Sequence, residues 1–295
     1  MKKIVECVPN FSEGRRKGVI EAIVNVIKSR KGIKVLDYSA DSDHNRMVVT
    51  FVGTPKSVKE AILKSSKKAI ELIDLKRHKG EHPRIGAVDV IPFIPVLNTT
   101  MEECTKLACE VGKALAQKFE LPVYLYGEAT KERTRLSTIR KYGFEGLDKL
   151  MKELKPDFGN AKPHPTAGAC AVGARKPLIA FNVNLDSNNL EIAKKIAKSI
   201  RASSGGLPSV QALGIELKSK GIVQVSMNLV DYEITSVVKS FEAVKAEARK
   251  YSVQVIGSEI IGLVPLNALI DIAKYYLQLE DFSSFKILEK RIWED

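Results

Sequence analysis

His82 stands between Glu81 and Pro83 in the stretch "RHKGEHPRIGAVDVIPFIP", Arg77 to Pro95, which holds two of the chain's four histidines and runs directly into an apolar segment. An imidazole near neutral pH can ligate a metal, shuttle a proton or serve as a structural pairing partner, and its neighbours decide between these. His78 and His82 are four residues apart, the spacing that sets two rings on one face of a helix. Pro83 disfavours helical geometry at His82, Gly80 weakens any helix through the segment, and no third ligand stands at a recognisable spacing, so no metal is expected. A loop histidine beside carboxylates suits proton transfer, because one ring nitrogen takes and returns the proton while an acid holds the other. Glu81 and Asp89 are candidate orienters, and Arg77, Lys79 and Arg84 bring cations for an anionic substrate. A structural loop histidine among solvated charges fits the same residues.

Three other segments are too polar or too small to be explained by packing alone. "VPNFSEGRR" carries Asn10, Ser12, Glu13, Gly14 and Arg15 directly after a strand, which reads either as part of a site or as a turn with Ser12 capping a helix. "SADSDHNRMVV" packs Asp41, Asp43, His44, Asn45 and Arg46 between two strands. A hairpin loop accounts for Asp and Asn there, but nothing in hairpin geometry asks for His-Asn-Arg. "HPTAGACAVGAR" strings together Thr166, Ala167, Gly168, Ala169, Cys170, Ala171, Val172 and Gly173. Such a run lets a flat ligand approach the backbone, and it equally suits a strand packed tightly beneath a helix. It is not a phosphate loop, since neither glycine-rich phosphate-binding pattern occurs in it.

The elements that must position these residues alternate short apolar runs with amphipathic stretches. "KIVECVPNF", "IKVLDYSA", "RMVVTFVG" and "PVYLYG" read as strands, and "KGVIEAIVNVIKSR", "PKSVKEAILKSSKKAIELI" and Thr100 to Phe119 as helices, the second with proline in its first turn. "AVDVIPFIPV" reads as a buried strand whose two prolines put it at a sheet edge or a bend. A helical pair runs through "EGLDKLMKEL". The proline- and glycine-rich stretch from Lys155 to Pro177 is a plausible boundary, after which "LIAFNVNL", "EIAKKIAKSIR", "VQVSMNLVDY", the helix around "SVVKSFEAVKAEARKY", "VQVIGSEIIGLVP" and a helical tail form a second series. The expected fold class is α/β (α+β) with antiparallel, hairpin-like neighbours. It is not a strict βαβ repeat.

With 295 residues and 44% hydrophobic content the chain can bury a sizeable core. No run is long and apolar enough for a membrane span or a signal peptide, so a cytoplasmic protein without membrane partners is expected. Cys7, Cys104, Cys109 and Cys170 form no CxxC pair and read as packed, reduced thiols. Forty-seven basic residues against 35 acidic ones leave a formal charge of +12. The lysines are scattered along helices and not interleaved with aromatics, which argues against nucleic acid and for small polyanionic ligands.

"VECVPNFSEGR", "DHNR", "KGEHPRIGAVDVIPFIP", "PVYLYGEA", "HPTAGACAVGAR", "IAFNVNL", "VQVSMNL" and "GSEIIGLVPL" together resemble the formiminotransferase family, in order from about Val5 to Leu266. The resemblance implies two subdomains, 1–177 and 178–295, each a mixed β-sheet with helices packed on one face and a ligand cleft between them. It implies a homodimer and no cyclodeaminase domain. It also implies transfer of a formimidoyl group between N-formimidoyl-L-glutamate and tetrahydrofolate in histidine degradation, with tetrahydrofolate as co-substrate. The family's catalytic histidine falls on His82, with Asp43, Glu81 and Asp89 as possible acid/base partners. Folate and substrate contacts are expected from Asn10, Ser12, Asn45, Arg46, Lys79, Arg84, His164, Thr166, Gly168, Ala169 and Arg175. One departure stands out: where the family can carry an assisting aspartate, this chain has Ser39, and Asp37, Asp41 or Asp43 would have to substitute. Formyl transfer from N-formylglutamate to a folate or another pterin, and folate binding without catalysis, remain alternative readings.

Overall fold

The chain divides into units Met1–Arg175 and Lys176–Asp295, and among the described residues no apolar cluster is shared between them: two lie in the first and one in the second. The computed structural model describes residues 3–80, 83–132 and 134–293; Glu81 and His82 lie outside the described residues.

In the first unit the chain runs β1 (Ile4–Cys7), β2 (Asn10–Phe11), α1 (Lys17–Lys28), β3 (Ile33–Asp41), β4 (Arg46–Gly53), α2 (Pro55–Leu72), β5 (Val88–Leu97), α3 (Met101–Phe119), β6 (Val123–Gly127), α4 (Leu136–Ile139), α5 (Leu147–Glu153) and β7 (Cys170–Ala174). Strands β1 and β2 are two pieces of one extended run, broken at Val8 and Pro9, and both pieces lie between β4 and β5. β3 joins β4 from the other side, while β7 and β6 continue the sheet from β5 in parallel. Side chains alternate across this sheet as the strand period demands. Cys7, Phe11, Met47, Val49, Phe51, Ile91, Phe93, Cys170 and Val172 enter one core with α1, α2 and α3. Each wholly buried phenylalanine there contributes about 1.5–3 kcal/mol of hydrophobic stabilisation. The helices begin where local chemistry starts them. Thr54 accepts from Ser57 N at 3.2 Å ahead of Pro55, and Thr100 and Glu103 form a reciprocal capping box on α3.

Of the two places expected for the prolines of β5, an edge or a bend, the edge does not hold, since β5 pairs with β1, β2 and β7, with register shifts in its pairings to β1 and β2. Proline is tolerated there because its neighbours give way. The break between β1 and β2 lies beside Pro92, and Pro95 lies past Phe93, the last residue that β7 pairs. The helices also are not confined to one face. Ile139, Leu147, Leu150 and Met151 of the α4–α5 segment cover Val90, Tyr124, Tyr126, Ala169 and Ala171 on the face opposite α1–α3.

The second unit contains β8 (Ile179–Leu185), α6 (Leu190–Ile200), β9 (Val210–Leu217), β10 (Ile222–Leu229), α7 (Val237–Arg249), β11 (Val255–Ile261), α8 (Leu266–Tyr276) and α9 (Leu288–Trp293). Its sheet has the order β11-β8-β10-β9. The mixed sheet expected in each half occurs in the first unit. In the second all three pairings are antiparallel, because hairpins and returning helices bring each strand back reversed. The similar runs "AFNVNL" and "VQVSMNL" are the two central strands, paired across Val183 and Val225.

Candidate functional site

The polar segments singled out in the first unit converge around the residues that flank His82. Asn45, at the end of the β3–β4 turn, is 8% exposed and sits at φ +48°. Its Oδ1 accepts from Gly14 N at 2.8 Å, and its Nδ2 donates to the Lys79 carbonyl at 3.0 Å. Its own carbonyl accepts from His78 Nε2–H at 2.8 Å. That bond fixes the His78 tautomer and leaves Nδ1 as a buried acceptor without a partner among the described residues. Burial holds the His78 pKa below its ordinary value against the opposing bond to the Asn45 carbonyl, with nearby Arg84 acting in the same direction as burial.

On the far side of Glu81 and His82, Arg84 is nearly buried. It donates to the His78 carbonyl at 3.0 Å and to Glu145 Oε1 at 2.8 Å. Asp89, 1% exposed, accepts from Ile85 N at 2.7 Å and from the Arg140 guanidinium. Arg46 lies in the same field. Burial and the neighbouring Arg140 lower its pKa, while Asp89 and Asp41 oppose them.

Ser12 does not cap α1. Its hydroxyl donates to the Gly86 carbonyl at 2.7 Å and its backbone N–H to Ala87 O at 3.0 Å, tying this turn to the segment after His82. Among the described residues no side chain caps α1; the buried Glu13 carboxylate instead holds the turn ahead of it, accepting from Arg15 N at 2.9 Å, Arg16 N at 2.8 Å and Arg16 Nε at 2.5 Å. Asn10 donates to Val8 O at 3.0 Å, across the break between β1 and β2.

The small-residue segment closes the arrangement. Leu75 N donates to Thr166 O at 2.8 Å, Ala87 N to Ala167 O at 3.0 Å and Ala169 N to Ile85 O at 2.9 Å. His164 Nδ1 accepts from Thr166 N at 3.3 Å and Ala167 N at 3.0 Å, and burial lowers its pKa. Gly168 lies at φ +70°, where an added Cβ would come 2.1 Å from Ile85 O, and at Gly86 one would come 1.9 Å from Ala169 O. The smallness of this run therefore serves backbone packing. Ala169 is wholly buried and Gly168 is buried too, so a ligand at this segment would meet His164 and Thr166, which are half-buried.

The remaining expected residues lie at its margins. Lys79 and Asp43 are exposed, and the Asp43 N–H donates to Asp41 Oδ1 at 2.8 Å. Asp41 also accepts from His44 N and from the His44 ring, both at 2.8 Å, which lowers its pKa to about 2. Asp37, Ser39 and Asp41 pair with Thr50, Val48 and Arg46, so all six share one face of the sheet. Arg175 is half-buried and its backbone N–H donates to Phe93 O at 3.1 Å. Its charge faces Glu6, whose pKa is raised by burial against the pull of Arg175, and Tyr126, pushed up to about 12 mainly by burial.

Sequence reading did not select Glu6, Tyr126, Arg140 or Glu145. Their partners lie far away in the chain, and a lone Arg in "STIRKYG" carries no local signal. In the second unit it also missed a polar cluster on the sheet face opposite the helices. There Gln224, 1% exposed, donates to Asn184 Oδ1 and Glu259 Oε1, both at 2.8 Å, and Asn182 donates to Glu259 at 3.1 Å.

Residues 4–175 match the formiminotransferase domain, N-terminal subdomain, and residues 180–292 match the formiminotransferase domain. The chain belongs to the formiminotransferase family. This formiminotransferase chain is 51% identical to the glutamate formimidoyltransferase of Streptococcus pyogenes serotype M1, with 99% of each chain covered. It is 48% identical to that of Thermoplasma acidophilum, over 98% of this chain and 97% of the relative. It is also 46% identical to the formimidoyltransferase-cyclodeaminase of Mus musculus, over 95% of this chain but 53% of the mouse protein, about half its length.

Proposed function

We infer that this chain is a one-carbon transferase that moves a formimidoyl group between N-formimidoyl-L-glutamate and tetrahydrofolate in histidine degradation, with His82 as its general acid and base. The observation that carries this reading is the family match along the whole chain, whose motifs fall on the interlocked segments of the first unit. A nitrogen of tetrahydrofolate attacks the amidine carbon, a tetrahedral adduct forms, and the bond from that carbon to the glutamate nitrogen breaks. His82 removes the proton from the attacking nitrogen and returns it to the departing one, a contribution of about 10² to 10⁴-fold in rate. The remainder comes from holding both substrates in line.

Both substrates carry glutamyl carboxylates, which suits the formal charge of +12 and the cations Arg46, Lys79 and Arg175 for charge-assisted contacts. Arg84 and Asp89 already hold protein partners, Glu145 and Arg140. We assign those two to the support of the site, and Glu81 or Asp43 to the orientation of His82. Residues 1–177 and 178–295 act as the two subdomains of one transferase.

The protein works as a cytoplasmic homodimer. Among the described residues no helix is long and apolar enough to cross a membrane. Support for the dimer comes from edge strand β11 and the helix after it, where Ile256, Ile261, Leu263, Leu266 and Leu269 are 41–53% exposed. The deciding experiment offers purified protein and tetrahydrofolate either N-formimidoyl-L-glutamate or N-formylglutamate and follows the folate product spectroscopically. Turnover of the formimidoyl donor alone supports the reading. Turnover of the formyl donor alone replaces it with formyl transfer, and folate binding with neither donor consumed leaves a binding protein.

A further inference from the structure

Asn45 was expected to touch folate or substrate, yet its side chain is already committed to the protein on both sides. Its Oδ1 takes the N–H of Gly14, its Nδ2 gives a hydrogen to the Lys79 carbonyl, and 8% of the residue is exposed. Its backbone joins the same structure, since the Asn45 carbonyl accepts from His78 Nε2–H at 2.8 Å. One residue thus bonds to the Ser12–Arg16 turn and to two successive residues ahead of His82.

Two features show that this arrangement is built closely. Asn45 occupies the left-handed region at φ +48°, which costs most side chains strain but which asparagine tolerates. The glycines on either side leave no room for anything larger. A Cβ at Gly14 would lie 2.0 Å from Asp41 O, and one at Gly80 would lie 2.3 Å from His44 O and 2.9 Å from Asn45 Cβ. The tip of the β3–β4 turn is therefore wedged between Gly14 and Gly80 and pinned there by the Asn45 amide. Arg84 ties back to the His78 carbonyl beside the Lys79 anchor, and Ser12 holds the Gly86 carbonyl at the other end.

We propose that Asn45 is a positioning residue that fixes the Lys79 end of the segment carrying His82, and that its side chain makes no contact with folate. This rests on the reading of His82 as the proton-transfer residue. The positioning side chain matters to the chemical step and not to the binding step, because a displacement of about 1 Å can cost up to about 10²-fold in turnover while leaving the ligand's own contacts intact.

The test is a kcat-against-Kd split on the full chain. Asn45→Gly keeps the left-handed backbone and removes both amide bonds. Asn45→Asp keeps the acceptor for Gly14 and sets a carboxylate oxygen against the Lys79 carbonyl. Both variants should bind tetrahydrofolate within threefold of the parent while kcat falls by about tenfold or more. Asn45→Asp also isolates the Lys79 bond should Asn45→Gly prove unstable in a thermal melt. A Kd weakened by tenfold with kcat unchanged would make Asn45 a ligand contact and overturn the proposal, as would no change in either quantity. Combining Asn45→Gly with His82→Ala separates the two readings. Less than a twofold further loss of kcat in the double variant upholds action through the His82 segment, and a further loss of the full size overturns it. If His82→Ala alone kept normal turnover, the assignment of His82 would fall and the Asn45 proposal with it, whereas a large loss in His82→Ala beside unchanged kcat in both Asn45 variants would overturn the Asn45 proposal alone.

Discussion

Asp89 lies next to the His82 segment, carries a carboxylate, and on residue type alone qualifies as an orienter of the catalytic imidazole; the structure gives it other work. It is 1% exposed, accepts from Ile85 N at 2.7 Å and pairs with Arg140, whose side chain is 14% exposed. Asp89→Ala would leave the Arg140 guanidinium buried with no carboxylate and with its Nε already lacking a partner. It would also leave Arg46 facing Arg140 without the intervening negative charge. Breaking a buried pair by removing one partner costs about 3–5 kcal/mol. The orphaned Ile85 N–H adds about 1–3 kcal/mol where no water reaches it. The terms overlap, so we expect a loss of about 4 kcal/mol. At about 2–4 °C per kcal/mol for a domain of this size, the melting temperature of the first unit should fall by roughly 10 °C. Asp89→Asn keeps an acceptor for Ile85 N and should lose about half as much. The assay is a thermal melt beside steady-state kinetics at a temperature where each variant is folded, and kcat of folded Asp89→Asn should stay within a few-fold of the parent. An unchanged melting temperature with a 10²-fold fall in kcat and a displaced pH profile would refute the structural assignment and restore Asp89 as the orienter of His82.

Much of the architecture is written in local pattern. The start of α2 is legible because Thr54 and Pro55 are a cap and a first-turn proline in any context. The stretch from Lys155 to Pro177, expected as a boundary from its prolines and glycines, also carries β7 of the first sheet, which that composition hides. Strand β9 was missed because Gly214 interrupts "VQALGIEL", and the reason for that glycine is tertiary. A Cβ there would come 2.3 Å from Lys194 N of α6, so the residue that weakens the strand signal is the one that lets the helix lie on the strand. The site divides in the same way. His82, Asn45 and Ser12 stand out because hairpins and caps do not require their chemistry together. What Asn45 and Ser12 bond is invisible in one dimension, since they reach Lys79 and Gly86 across 34 and 74 positions. The small run at Thr166 to Gly173 left a flat ligand and close packing both open. Local pattern could not choose, because both need the same absent side chains. Backbone bonds from Ala169 to Ile85 and from Ala87 to Ala167 supply the packing reason.

His82→Ala should keep tetrahydrofolate affinity within a few-fold while turnover falls by roughly 10² or more, and normal turnover in this variant would send the proton-transfer role to a carboxylate of the "GEHPR" or "DSDHNR" segments. Ile261→Lys, on the edge strand β11, should halve the mass seen by light scattering at micromolar concentration, whereas a parent protein already monomeric there would end the dimer proposal. The pH dependence of stability should carry the mark of His164. Its Nδ1 accepts from Thr166 N and Ala167 N, so the fold requires the neutral ring, and burial lowers its pKa below 6.5. The unfolded chain then binds the proton first as pH falls through 6.5. Stability from this group is complete above that value and declines below it, until the folded-state ring also titrates. His78 is shifted in the same direction and adds to the slope. His164→Asn places an amide oxygen near the position of Nδ1 and takes no proton, so the variant should keep the turn and flatten the fall in melting temperature between pH 7.5 and 5.5. A slope as steep in His164→Asn as in the parent would show that other groups carry the acid sensitivity and that the Nδ1 bonds do not govern it.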